Sequence, residues 1–154
     1  MTTMETLIRP ALPQDYPALL ALYAEPDFNG ESLSAEEARP IFDAMRSYPF
    51  YKPFLLEVND QPVATFSLLI LDNPAHMGSP IAMVENIVVK SGWQGKGLGR
   101  RMMAEAGRIA SSKGAYKLIL ATGLKRTGAH QFYEDLGFER YGYSYGLPLR
   151  EAQA

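Results

Sequence analysis

The run from Ile87 to Arg100 constrains this chain more than any other segment. Ile87-Val88-Val89 is wholly apolar, Ser91-Gly92 marks a turn, and Gly95, Gly97 and Gly99 follow at alternate positions. Met102, Met103, Ala106 and Ile109 then recur at helical spacing. This order predicts a buried strand, a glycine-rich loop, and a helix whose first turn carries little side-chain bulk. The first amides of a helix have no intrahelical partner, and the macrodipole adds partial positive charge there. Glycine lets an oxygen approach those amides without meeting a Cβ. The loop therefore suits a phosphate or pyrophosphate. Lys96, Arg100 and Arg101 stand at the same end, where cations are unfavourable unless an anion accompanies them; otherwise they are ordinary solvated charges. The spacing is neither G-x-G-x-x-G nor G-x-x-x-x-G-K-[ST]. A second reading also stays open, in which Gly92 makes a turn and the later glycines pack a helix against a sheet.

Composition narrows the class. A chain of 154 residues, 47% hydrophobic and 21% charged, suits one globular domain over residues 1–154 with a real core. A formal net charge of −2 argues against a nucleic-acid binder, which would carry a basic face. With no cysteine, disulfides, cysteine-ligated zinc and a thiol nucleophile are excluded, and no metal is called for. No apolar run approaches membrane-spanning length and no basic-then-apolar leader opens the chain, so neither membrane nor export is expected and the cytoplasm is the default. A homodimer stays open.

The elements read as one continuous domain. Leu7 to Arg9 is a short strand, and Pro13 opens a helix with Leu19, Leu20, Leu22 and Tyr23 on one side. Glu25 to Ser34 is a loop. Ser34 and Glu37 form a capping box for a second helix, whose boundary Arg39-Pro40 leaves open and which Pro49 ends. Phe54 to Val58, Asn59 to Pro62 and Val63 to Leu71 read as a hairpin. Ile81 to Val89 is a strand, the glycine-loop helix runs to about Ser112, and Gly114 stops it. Tyr116 to Ala121 is a strand, Thr127 to Leu136 a helix, Gly137 its left-handed stop, and Phe138 to Leu147 a final strand.

Two stretches carry a family likeness. Gln94-x-x-Gly97-x-Gly99 resembles the Q/R-x-x-G-x-G/A loop of the GNAT superfamily of acyl-CoA-dependent N-acyltransferases, and Ala129-His130-Gln131-Phe132-Tyr133 through Gly137-Phe138 resembles that family's late A-x-x-F-Y-x-x-x-G-F helix. The resemblance covers roughly Leu56 to Tyr145. It implies an α/β fold (an α+β mixed sheet) in the order β-α-α-β-β-β-α-β-α-β, splayed between its fourth and fifth strands. It also implies acetyl-CoA as cosubstrate. The amides of Gln94, Gly95, Lys96, Gly97, Leu98, Gly99 and Arg100 would hold the pyrophosphate, and the backbone of Ile87, Val88 and Val89 the pantetheine arm. Arg126 stands seven residues before Tyr133, where the family often has Asn, so that contact does not carry over.

Acetyl transfer to an amine needs a proton removed from the ammonium, a donor for the oxyanion, and a proton for the departing thiolate. Glu85, the one carboxylate of the central strand, lies between Met83, Val84, Ile87 and Val88. Desolvation among such neighbours would raise its pKa toward that of a base, and the family often places a glutamate on this strand. Alternatively it pairs with a cation or sits at a wet strand end. By its match to the family tyrosine, Tyr133 is the general acid; a core tyrosine with a satisfied hydroxyl is the competing reading. His130 shares its face of the helix and could touch the cofactor or relay a proton, but more simply caps or packs; His76 faces solvent. A bulge near Asn86, common in the family, would alter which sheet face it occupies. The segment between the first two helices usually walls the acceptor, which nominates Phe28, Asn29 and Glu31. Tyr48, Phe50 and Tyr51 read better as core than as a pocket.

The resulting expectation is an N-acetyltransferase moving acetyl from acetyl-CoA to a primary amine (a small molecule, a peptide N-terminus or a lysine) by direct transfer. A non-catalytic acyl-CoA-binding regulatory module is the alternative. A Rossmann-type nucleotide binder would need alternating parallel βα units, which the early hairpin contradicts.

Overall fold

Two consecutive apolar runs form strands β2 (Tyr51–Val58) and β3 (Gln61–Leu71) in the computed structural model, which describes residues 3–150. Their turn is tighter than the four residues expected: Gln61 and Pro62 join β3, leaving Asn59 and Asp60 at φ 48° and 64°. Two consecutive positive φ angles match the right-handed twist of a hairpin. Pro62, which has no N–H to give the ladder, sits beside a register shift at Leu56/Glu57.

The chain divides into two compact units between Leu120 and Ala121. In the first, β1 (Thr6–Pro10), β2, β3, β4 (Ile81–Val89) and β5 (Lys117–Ile119) form one sheet in that order. Neighbours are antiparallel except β4 and β5, which run parallel. α1 (Tyr16–Tyr23) and α2 (Ala35–Met45) cover one face, where Leu19, Leu20, Leu22, Ala38 and Phe42 pack with Leu55 and Val88. Phe54, Leu56, Phe66, Leu68 and Val84 alternate onto the opposite face, and the Phe54 and Phe66 rings stack 5.0 Å apart. α3 (Leu98–Ser112) packs against β3, β4 and β5 through Leu98, Met102, Met103, Ala106 and Ala110.

The helix signals largely hold. Ser34 Oγ accepts from the Glu37 amide and Glu37 returns a bond to the Ser34 amide, the expected capping box. α2 runs through Pro40, whose ring lies on the exposed side while Ala38 and Phe42 are buried, Phe42 stacked on Tyr16 at 4.0 Å. Packing on that face outweighs the one hydrogen bond a proline removes. Among the described residues no helix is long and apolar enough to cross a membrane.

Arg9 ties β1 to the start of α1. Its guanidinium donates to both Asp15 carboxylate oxygens at 2.6 and 2.9 Å and to Glu57 at 2.7 Å, and the Leu12 amide donates to Asp15 at 2.7 Å. The Arg9 hydrogen bonds hold the Asp15 carboxyl below its usual range. Stability contributed by a depressed acid is complete above its unfolded pKa, about 4, and is lost as pH falls through the lower folded value. Asp15→Asn is expected to lower unfolding free energy by about 1.5–3 kcal/mol at neutral pH, the range for hydrogen bonds to charged groups. Urea unfolding at pH 7 and pH 3 checks this: the gap between variant and wild type should shrink at the lower pH.

The second unit holds α4 (Thr127–Asp135) and the residues after it. Here one expectation fails: Phe138 to Leu147 forms no strand. Tyr141, Tyr143, Tyr145 and Leu147 alternate with small residues as in a strand, yet are 70–91% exposed. A strand exists only through a ladder partner, and Gly142 and Gly146 add backbone freedom that weakens one. The strand expected over Tyr116 to Ala121 likewise shrinks to Lys117–Ile119.

Candidate active site

β4 is interrupted where the site residues cluster. Ser67 pairs with Glu85 and Thr65 with Val88, so Asn86 and Ile87 together oppose Phe66. That is a β-bulge, and Asn86 supplies its left-handed residue at φ 53°. The bulge keeps Glu85 and Val88 on one face although three positions separate them. β5 ends at Ile119 and accompanies β4 only at Ile81, Ala82 and Met83, so Val84 to Val89 have no partner in it. The expected splay between fourth and fifth strands is present, and the backbone of Ile87 to Val89 lies along it.

Beyond β4 the chain turns into α3. Gly92, Gly95 and Gly97 have φ of 86°, 74° and 80°, with Gly97 as the α3 N-cap. A Cβ built at any of the three would meet nothing within 4 Å. Tight helix packing therefore does not explain these glycines. They supply left-handed backbone and leave a bare loop at the α3 N-terminus, where unpaired amides and the dipole favour an anion. Lys96 lies 5.9 Å over the Trp93 ring, and Arg101 donates to Thr6 Oγ1 at 2.7 Å.

The α1–α2 loop is fastened to this loop. Glu25 accepts from the Ser91 amide and hydroxyl at 3.2 and 2.6 Å, and the Gln94 side chain donates to Asp27 at 2.8 Å and to the Val89 carbonyl at 3.3 Å. Neither fastening was legible from spacing, because Glu25 and Ser91 lie 66 residues apart. Of the acceptor candidates, Phe28 packs on the helical core, 5.9 Å from Tyr23. Asn29 and Glu31 are exposed.

Glu85 is exposed, so the desolvation expected from its apolar sequence neighbours is absent. Adjacent strand residues point to opposite faces, and the burial of Val84 does not extend to Glu85. Two residues not singled out from sequence share its surroundings. Ser67, its cross-strand partner, is fully buried with an Oγ that meets no hydrogen-bond partner. Tyr23, whose phenol is pushed up by burial, lies close enough to Ser67 for that hydroxyl to offset part of the rise, short of full hydrogen-bond geometry. Tyr51 is also pushed up, by burial and then by the Glu85 charge.

In the second unit, Tyr133 is half-buried and lies edge-on to Phe132 and Phe138 at 5.1 and 5.6 Å. The Phe138 amide bonds the Tyr133 carbonyl and the Gly137 amide the Glu134 carbonyl, with Gly137 at φ 95°. This is a Schellman ending with its usual apolar contact, which accounts for Gly137-Phe138 structurally. Burial pushes the Tyr133 phenol up and the Arg126 charge partly offsets that. His130 Nε2 meets the Gly123 carbonyl at 2.8 Å. No cluster of three or more His, Asp or Glu that could hold a metal occurs among the described residues.

Antiparallel strands, a bulged fourth strand beside a short parallel fifth, and a glycine-opened helix make a mixed α/β domain with an anion-suited loop. The chain belongs to the acetyltransferase (GNAT) family, whose model matches residues 16–138. It is 32% identical over 98 residues to glucosamine 6-phosphate N-acetyltransferase from Trypanosoma brucei brucei, covering 64% of this chain and 65% of that protein. Identity is 30% over 100 residues with tRNA uridine(34) acetyltransferase from Methanocaldococcus jannaschii, covering 64% of this chain and 17% of that one. The chain thus spans less than two thirds of these relatives. Among solved structures, a protein of Agrobacterium tumefaciens str. C58 named as a proposed acetyltransferase has a TM-score of 0.85 at 34% identity, covering 92% of this chain and 99% of that one.

Proposed function

We propose that the chain is an N-acetyltransferase that moves acetyl from acetyl-CoA to a primary amine by direct transfer. The observation that carries this reading is the continuity of β4: an exposed carboxylate, a splayed backbone edge and an anion-binding loop follow one another within Glu85 to Arg100. The pyrophosphate suits the amides of Gln94 to Arg100. The pantetheine arm suits the backbone of Ile87, Val88 and Val89, pairing as an added strand would.

Chemistry then follows from the groups present. Glu85, directly or through water, takes a proton from the acceptor ammonium, and the freed amine attacks the thioester carbonyl. A tetrahedral oxyanion forms; the nitrogen loses its second proton to water as collapse breaks the C–S bond and expels the CoA thiolate, and solvent later returns a proton to the Tyr133 phenolate. Tyr133 supplies the thiolate's proton, since a phenol pushed up by burial keeps its proton at neutral pH. Phe28, Asn29 and Glu31 would wall the acceptor side.

The test is free-thiol release from acetyl-CoA across a panel of primary amines. Amine-dependent release is expected for at least one. Tight acetyl-CoA binding with no amine-dependent release would instead identify a non-catalytic acyl-CoA-binding module.

A further inference from the structure

The sheet face bearing Glu85 can be read as rows across the strands. Tyr51, Leu69 and Met83 form one row, Pro53, Ser67 and Glu85 the next, and Leu55, Thr65 and Val88 the third. Arg9 lies on the same face opposite Leu55, but Asp15 and Glu57 neutralise it. In the first two rows Glu85 is the sole formal charge, and their floor is apolar. Aromatic rings flank it: Tyr48 stands edge-on to Tyr51 at 5.9 Å, and Tyr23 tilts against Phe28 at 5.9 Å. Ser67 adds a buried hydroxyl without a partner, directly across from Glu85. Cross-strand partners have Cβ atoms about 5 Å apart. Ser67 is fully buried with Tyr23 beside its hydroxyl, so the group open to a ligand on this face is the Glu85 carboxylate.

Resting on the acetyl-transfer reading, we propose that the acceptor is an amine on an apolar or aromatic body, carrying no phosphate or carboxylate, with its ammonium at the exposed Glu85 and its body over the half-buried Leu69, Met83 and Tyr51. A carboxylate on an apolar floor fits an ammonium, and rings beside it add cation–π attraction. A phosphate there would meet Glu85 with no cation in either row to offset the repulsion.

Calorimetric titration into the full-length protein in the presence of CoA tests this apart from catalysis, with 2-phenylethylamine, phenylacetate and glucosamine 6-phosphate as probes. 2-Phenylethylamine is expected to bind at least about tenfold more tightly than either anion, a gap of about 1.4 kcal/mol. Glu85→Gln should remove most of that gap, and Glu85→Lys should reverse it in favour of phenylacetate; the site is exposed, so both variants should fold. Absence of 2-phenylethylamine binding, or equal or tighter binding of glucosamine 6-phosphate, overturns the proposal. If 2-phenylethylamine binds as expected but no amine of the panel releases thiol from acetyl-CoA, the amine site stands and the proposed reaction falls.

Discussion

Tyr133→Phe is expected to lower turnover with a competent amine by about 10²–10⁴-fold, the usual contribution of a general acid, while acetyl-CoA affinity stays nearly unchanged. The substitution removes one hydroxyl and keeps the ring, so the edge-on contacts with Phe132 and Phe138 and the Schellman ending of α4 persist. A purely structural tyrosine would lose stability and little rate; a proton donor would lose rate and little stability. The pH profile adds a second readout. Burial raises the phenol above its ordinary value near 10, so it stays protonated at neutral pH. Any rate that depends on its proton is present below the raised value and falls as pH rises through it. The wild-type profile should therefore lose turnover in strongly alkaline buffer, and the phenylalanine variant should lack that limb. Unchanged turnover in Tyr133→Phe would leave thiolate protonation to water, with catalysis resting on proximity and backbone donors.

Acetyl-CoA binding should be lost, by about a hundredfold or more, in Gly97→Val and Gly99→Val. At Gly97 a valine meets two obstacles: φ of 80° disfavours a β-branched residue, and its methyls would occupy the open space in front of the α3 amides. Gly97→Asn separates them, because asparagine tolerates left-handed backbone while still adding bulk. If bulk decides, asparagine binds acetyl-CoA weakly although its melting temperature stays near wild type. If strain decides, asparagine restores binding. Affinity unchanged in both valine variants would remove the pyrophosphate from this loop.

Which features were legible beforehand depended on the range of the interactions behind them. The Ser34 box, the Gly114 and Gly137 stops and the glycine loop are decided within a few residues, by caps and by backbone that only glycine adopts readily. The Glu85 environment was misread because local hydrophobicity was taken for burial, whereas a strand alternates its faces and a bulge at Asn86 resets the alternation. Tyr141, Tyr143 and Tyr145 show the same limit: strand-like alternation cannot supply a ladder partner. Ser67 carries no such signal, because nothing in its immediate sequence marks a buried hydroxyl set across the sheet from a carboxylate.

By itself, then, the sequence determined the order of helices and strands through β5 and α4, the anion-suited loop, and membership of a family with that loop and the Phe132-Tyr133 helix. Those depend on period, capping and glycine positions, all local properties of the chain. Only the tertiary structure decided that Glu25 and Asp27 fasten the loop, that β5 pairs with β4 only as far as Met83, and that Glu85 stands exposed across from a buried Ser67. Each of these depends on which distant segments the sheet register sets side by side, and register is a property of the assembled strands rather than of any one of them.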